Sequence, residues 1–125
     1  MAFGTLKADT LTHSTAGSLA TNFVVNGSAK TWIIFNMSSS FTNSDSFNVS
    51  SLDDDGQGDF GINFTNSMSS ANYPATSGAG EDNANVLTNF GTVTTSAMDG
   101  QTRQTQANSA IDKFRNSVAI HGDLA

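Results

Sequence analysis

Lys30–Tyr73 reads KTWIIFNMSSSFTNSDSFNVSSLDDDGQGDFGINFTNSMSSANY, and its spacing decides the fold class. From Lys30 to Met37, Trp32, Ile34 and Asn36 alternate with Thr31, Ile33, Phe35 and Met37. Both phases are substantially apolar, which predicts a strand buried on both sides. Ser38–Asp45 is polar and reads as loop. Phe47, Val49 and Leu52 then lead into Asp53-Asp54-Asp55-Gly56-Gln57-Gly58, and the chain returns through Phe60, Ile62 and Phe64 in strict alternation with Asp59, Gly61, Asn63 and Thr65. Period two on either side of an Asp/Gly turn is a β-hairpin.

The same period extends outward. Thr5–Thr12, TLKADTLT, alternates with a phase slip at Leu11 and predicts an extended arm; Ser14–Thr21 reads as a small-residue linker, and residues 1–20 form the arm as a whole. Phe23–Val25 reads as a short strand closed by the turn dipeptide Asn26-Gly27. Ala71–Ser77 is a further strand whose Pro74, the only proline, assigns it to an edge or a strand end. Ser77–Asn83 reads as a Gly-rich loop, and Val86–Thr95 as a strand with a bulge at Gly91. Ser96–Ser109 reads as polar loop around Asp99-Gly100, Asn108–Asn116 as a helical turn, and Phe114–His121 as an exit strand with Val118 and Ile120 on one face. Residues 21–125 are thus expected to form a single antiparallel β-sandwich, jelly-roll or Ig-like, in an all-β chain.

Composition agrees. Ser, Thr and Asn make up about a third of the 125 residues, while Glu occurs once, at Glu81, and Lys and Arg together five times. The formal net charge of -6 supplies no basic footprint for nucleic acid or an anionic membrane. With no cysteine, stability must come from packing or assembly rather than disulfides or thiolate metal sites. The first twenty residues lack a basic start and an apolar run, so no secretory signal is expected, and no stretch approaches a membrane span.

Several motifs carry a family resemblance: Lys30-x-Trp32-x-x-Phe35-Asn36, Ser46-Phe47-Asn48-Val49-Ser50-Ser51-Leu52, Asp59-Phe60-x-x-Asn63-Phe64 and Met68-x-x-Ala71-Asn72-Tyr73. Together they resemble a module of tail-fibre and accessory virion proteins of marine bacteriophages. The resemblance is strong over residues 30–73, weaker at Thr5–Thr12 and Val118–Asp123, and absent from Ser77 to Asn116; the three consecutive aspartates depart from it. It implies a virion location and a homotrimer that binds other virion proteins and can contact a host cell-surface glycan or protein. By the same resemblance Thr5, Leu6, Lys7, Ala8, Asp9, Thr10 and Leu11 form an assembly arm. Capsid decoration or tail adaptor protein is the alternative reading, and a lectin-like glycan-binding module a second.

Chemistry-bearing patterns are sparse. Asp53, Asp55, Gln57 and Gly58 imitate the opening of a calcium loop to which Asp59 could add one more oxygen, yet Phe64 stands where the bidentate Glu belongs, so a plain hairpin turn is the better reading and no cofactor is expected. His13 and His121 sit in no nucleophile motif, and the chain reads as a non-enzyme. Alternation assigns most aromatic side chains to the core. The candidate contact surface is the polar loop set, represented by Tyr73, Asn83, Asp99, Gln101 and Arg103, because loops on a rigid sheet present hydrogen-bonding groups.

Overall fold

Once Phe60, Ile62 and Phe64 turn inward, the hairpin they belong to must lie against a second apolar sheet. A computed structural model describes residues 7–80 and 86–125 and shows this arrangement. Among the described residues the strands are β1 (Thr10–His13), β2 (Gly17–Ala20), β3 (Ala29–Asn36), β4 (Thr42–Phe47), β5 (Val49–Gly56), β6 (Asp59–Phe64), β7 (Ala75–Gly80), β8 (Val86–Val93), β9 (Ala97–Gln104), β10 (Ser109–Ala110) and β11 (Arg115–His121), with one helix, α1 (Thr21–Gly27). One sheet runs β4-β3-β11-β7; in the other, β5 pairs β6, β6 and β10 share one edge of β9, and β8 takes its other edge. Every pairing is antiparallel. The protein is an all-β sandwich.

The core lies between β3 and β11 on one side and β6 and β9 on the other. Ile33, Phe35, Val118 and Ile120 meet Phe60, Ile62, Phe64 and Met98, and Met37 and Met68 close the ends. The rings of Phe35 and Phe60 meet edge to face at 4.9 Å. The Phe60 ring occupies the space a side chain at Gly100 would fill: a Cβ there would lie 2.4 Å from Phe60 Cζ.

The chain passes from one sheet to the other at Asn48, whose φ is 60°. Its amide holds that corner. Nδ2 donates to Thr31 Oγ1 at 3.1 Å and to the Asn66 carbonyl at 3.0 Å. Oδ1 accepts from the Asn66 backbone N–H at 2.7 Å and from its Nδ2 at 3.0 Å. Asparagine is among the few residues that tolerate a left-handed backbone.

Several local expectations are corrected. β3 is buried on one face only: Thr31, Ile33 and Phe35 are covered by the second sheet, whereas Trp32 and Ile34 on the outer face are only partly buried. The aspartate triplet lies in β5, not in the turn. Glycines at positive φ, Gly56 and Gly58, tighten the reversal to Gln57-Gly58. Part of the expected loop 38–45 is β4, because pairing with β3 overrides its polar composition. The expected loop 96–109 contains β9, a central strand, and residues 77–80 of the loop expected over Ser77–Asn83 belong to β7. Asn108–Asn116 forms no helix: Asn108 has φ 47°, Ser109–Ala110 pairs with β9, and Asp112 Oδ1 accepts from the Gly58 N–H at 2.6 Å.

The N-terminal region also differs from expectation. In place of a single extended arm and a linker, β1 and β2 form a hairpin with Leu11 opposite Leu19. Phe23–Val25 lies in α1 instead of a strand, since Thr21 donates its N–H to the Asp9 carbonyl at 2.9 Å and its hydroxyl to that of Ala8 at 2.7 Å, turning the chain out of the hairpin. The helix buries no residue, so the packed body begins at β3.

Substitutions at two positions test this account. Gly100→Ala is expected to cost about 1–3 kcal/mol through overpacking against Phe60. Asn48→Gly, which keeps the backbone angle but loses the amide, should cost about 2 kcal/mol, and Asn48→Ala about 1 kcal/mol more for the left-handed strain. Urea unfolding of the three variants measures both; equal stability of the Gly and Ala variants would remove the strain argument.

Candidate functional site

Inward packing fixes what the β5-β6-β9-β8 sheet shows to its other side. With Met98, Gly100 and Thr102 turned to the core, Asp99, Gln101 and Arg103 must face outward, and with Phe60 and Ile62 inward, Asp59, Gly61 and Asn63 face outward beside them. Register aligns the rows. Gly61 pairs with Asp53 on one side and Asp99 on the other, and Asp59 pairs with Gln101, which pairs in turn with Asn89. The result is a groove of about 680 Å³ lined by Asp53, Asp55, Asp59, Asn89, Asp99 and Gln101.

Glycine makes the floor. A Cβ at Gly61 would sit 3.2 Å from Asp55 Oδ2 and 3.4 Å from Asp53 Cβ, and one at Gly91 would touch Asp99 Cβ at 3.7 Å. Gly91 lies in the stretch where the β8–β9 register shifts, between Phe90 and Val93, as its glycine suggested.

A chain of hydrogen bonds orients the polar groups. Gln101 Nε2 donates to Asp59 Oδ1, and Arg103 Nη1 donates to Gln101 Oε1. Arg103 Nη2 donates to the Asn108 carbonyl at 2.5 Å and its Nε to Asn108 Oδ1 at 3.2 Å. Asn63 Nδ2 donates to Asp53 Oδ2 at 2.5 Å and to Ser51 Oγ at 2.8 Å. Arg103 is thereby engaged with the turn after β9, and the groove presents carboxylate and amide oxygens able to accept from hydroxyl or ammonium donors. No three His, Asp or Glu side chains among the described residues converge as a metal centre, including Asp53, Asp55 and Asp59.

Of the contact residues expected from sequence, the structure therefore brings Asp99, Gln101 and Arg103 together, on a strand instead of a loop. Tyr73 stands apart. Its hydroxyl donates to the Thr94 carbonyl at 3.0 Å and lies 3.2 Å from that of Ala97, and its ring meets Phe64 edge-on at 6.0 Å. Asn83 lies outside the described residues, as do Thr5 and Leu6. In the rest of the arm, Lys7, Ala8, Asp9 and Leu11 border a groove of about 730 Å³ completed by Thr21, Val24 and Val25 of α1, and Thr10 pairs with Ala20. Asn89 and the glycine floor went unread in the sequence, although the period-two spacing of Asp99, Gln101 and Arg103 was a usable signal.

Burial pushes the Tyr73 phenol up to about 12 from its ordinary value near 10. The raised group favours the fold fully below pH 10, and that contribution is lost as pH rises from 10 towards 12. Stability should therefore fall across this window in the wild type and less in Tyr73→Phe. Phenolate absorbance reads the single tyrosine directly; a midpoint near 10 in the folded protein would refute the burial argument.

No protein-family model matches the chain, and no curated protein or solved structure is detectably similar to it.

Proposed function

We propose that the chain is a bacteriophage virion structural protein without enzymatic activity, a short trimeric tail-fibre or fibre-tip component that attaches through its N-terminal arm and can contact the host surface. The observation that carries the reading is the arm. A two-stranded hairpin and a seven-residue helix are each marginal alone in water, yet here they stand outside the sandwich core. Leu11, Leu19, Phe23, Val24 and Val25 are all exposed there, with Phe23 at 65%. Such a segment gains its stability by docking, which is what an assembly arm requires. The resemblance of residues 30–73 to fibre modules points the same way.

A capsid decoration or tail adaptor protein would use the same arm and differ only in where it docks. The lectin-like reading is favoured by one specific observation, the groove whose carboxylate and amide acceptors suit sugar hydroxyls.

Imaging of intact particles with the C-terminus labelled distinguishes location: label at the distal tail supports the fibre-tip reading, and label on the shell or an internal joint replaces it with decoration or adaptor. Leu11→Asp combined with Leu19→Asp should abolish incorporation into particles while changing the stability of the body by less than about 0.5 kcal/mol. Normal incorporation of that variant would sink the anchoring role.

A further inference from the structure

The two outer faces of the sandwich are unlike. One carries Asp53, Asp59, Asp99, Gln101 and Arg103. On the other, Trp32 is flanked in register by Phe47 on β4 and Ala119 on β11, and Ile34 lies on the same side one row away, between Asp45 on β4 and Ser117 on β11. Phe47 is 54% exposed. Between Trp32 and Ile34 and the small residues Gly78, Ser117 and Ala119 runs a shallow trough of about 460 Å³. A sheet face left to water alternates to polar side chains, and β3 instead puts a tryptophan and an isoleucine there.

We propose that the outer face of the β4-β3-β11-β7 sheet packs against the same face of further copies of this chain. Charge placement favours this occupant. The chain carries a net charge of -6, and the carboxylates of Asp53, Asp55, Asp59 and Asp99 line the opposite face. Copies joined through the apolar face bring Asp45, on the edge strand β4, to the rim of the joint but keep those four carboxylates on the outside. Two sheet layers of about 10 Å then lie on each side of the joint, well beyond the screening length of about 8 Å at physiological salt. Joining through the other face would press like charges together.

Area adds a requirement. Four strands about 4.8 Å apart and six residues long present about 400 Å², half of the roughly 800 Å² per partner of a stable interface. The exposed apolar side chains of the arm, which leads directly into β3, are assigned the remainder, so face and arm act together. The inference rests on the self-assembly part of the proposed function and names its surface.

Sedimentation velocity of the full chain tests it, with Phe47→Asp as the face variant and Gln57→Asp, in the exposed β5–β6 turn, as the charge-matched control. The wild type should be oligomeric at micromolar concentration, Gln57→Asp unchanged, and Phe47→Asp weakened at least ~10-fold. Thr76→Asp, at the exposed end of the row containing Trp32, should act in the same direction and serves if Phe47→Asp does not fold. Emission of the lone tryptophan should shift to the red on dilution while the circular dichroism stays constant. An oligomeric wild type indifferent to both face variants overturns this surface and leaves the trimer reading standing. A monomeric wild type overturns both and gives the face to an unlike partner.

Discussion

The edge of the Phe60 ring against Phe35, over the bare backbone of Gly100, is the contact around which the molecule is arranged. Three strands are committed by it at once: β3 through Phe35, β6 through Phe60 and β9 through the missing side chain. Such a pair contributes about 0.5–1.5 kcal/mol beyond its burial, and its larger effect is on phase. A strand slipped by one residue would put its whole apolar set on the wrong face. With Phe60 and Gly100 held inward, the outward places of Asp59, Gly61, Asp99, Gln101 and Arg103 follow without further instruction. The polar face is the back of the core.

A sandwich without disulfides must also close its ends, and here side-chain amides, hydroxyls and one carboxylate do so. Asn48 ties the sheet crossing to Asn66 and Thr31. Asp112 holds Gly58, which approaches Thr102 so closely that a Cβ would lie 2.6 Å from its carbonyl oxygen. At the other end, the Ser69 N–H donates to the Asp123 carbonyl and the Ala125 N–H to that of Ser67, folding the C-terminal residues over Met68. The high Asn, Ser and Thr content thus has a structural use: these residues bond the backbone where strands end.

Much of the body was legible because period two leaves a clear trace. Phe60, Ile62 and Phe64 show their phase in the sequence, as do Val118 and Ile120, whereas the strand expected from Ala71 starts only at Ala75, immediately after Pro74, as edge strand β7. The errors have a common physical origin. Asp99-Gly100 has the composition of a turn, but the glycine is there to admit a ring from a strand forty residues away, and no local rule records that. Asp53–Asp55 reads as turn for the same reason. The outward carboxylates could be paired only once the register was known, so the groove was invisible while its parts were not. In the arm, Val24 and Val25 have strand propensity, and the anchoring of Thr21 to Ala8 and Asp9 overrides it.

Met37, Met68 and Met98 are all sealed inside the sandwich, with Met98 at 0% exposure. A thioether is readily converted to a sulfoxide, but only where an oxidant can reach it. The rate of sulfoxidation at Met98 therefore counts openings of the space between the sheets, whereas Met68, beside the bridge to Leu124, counts partings of the C-terminal closure. The core carries its own chemical clock, with separate hands for the middle and the end of the barrel-less sandwich.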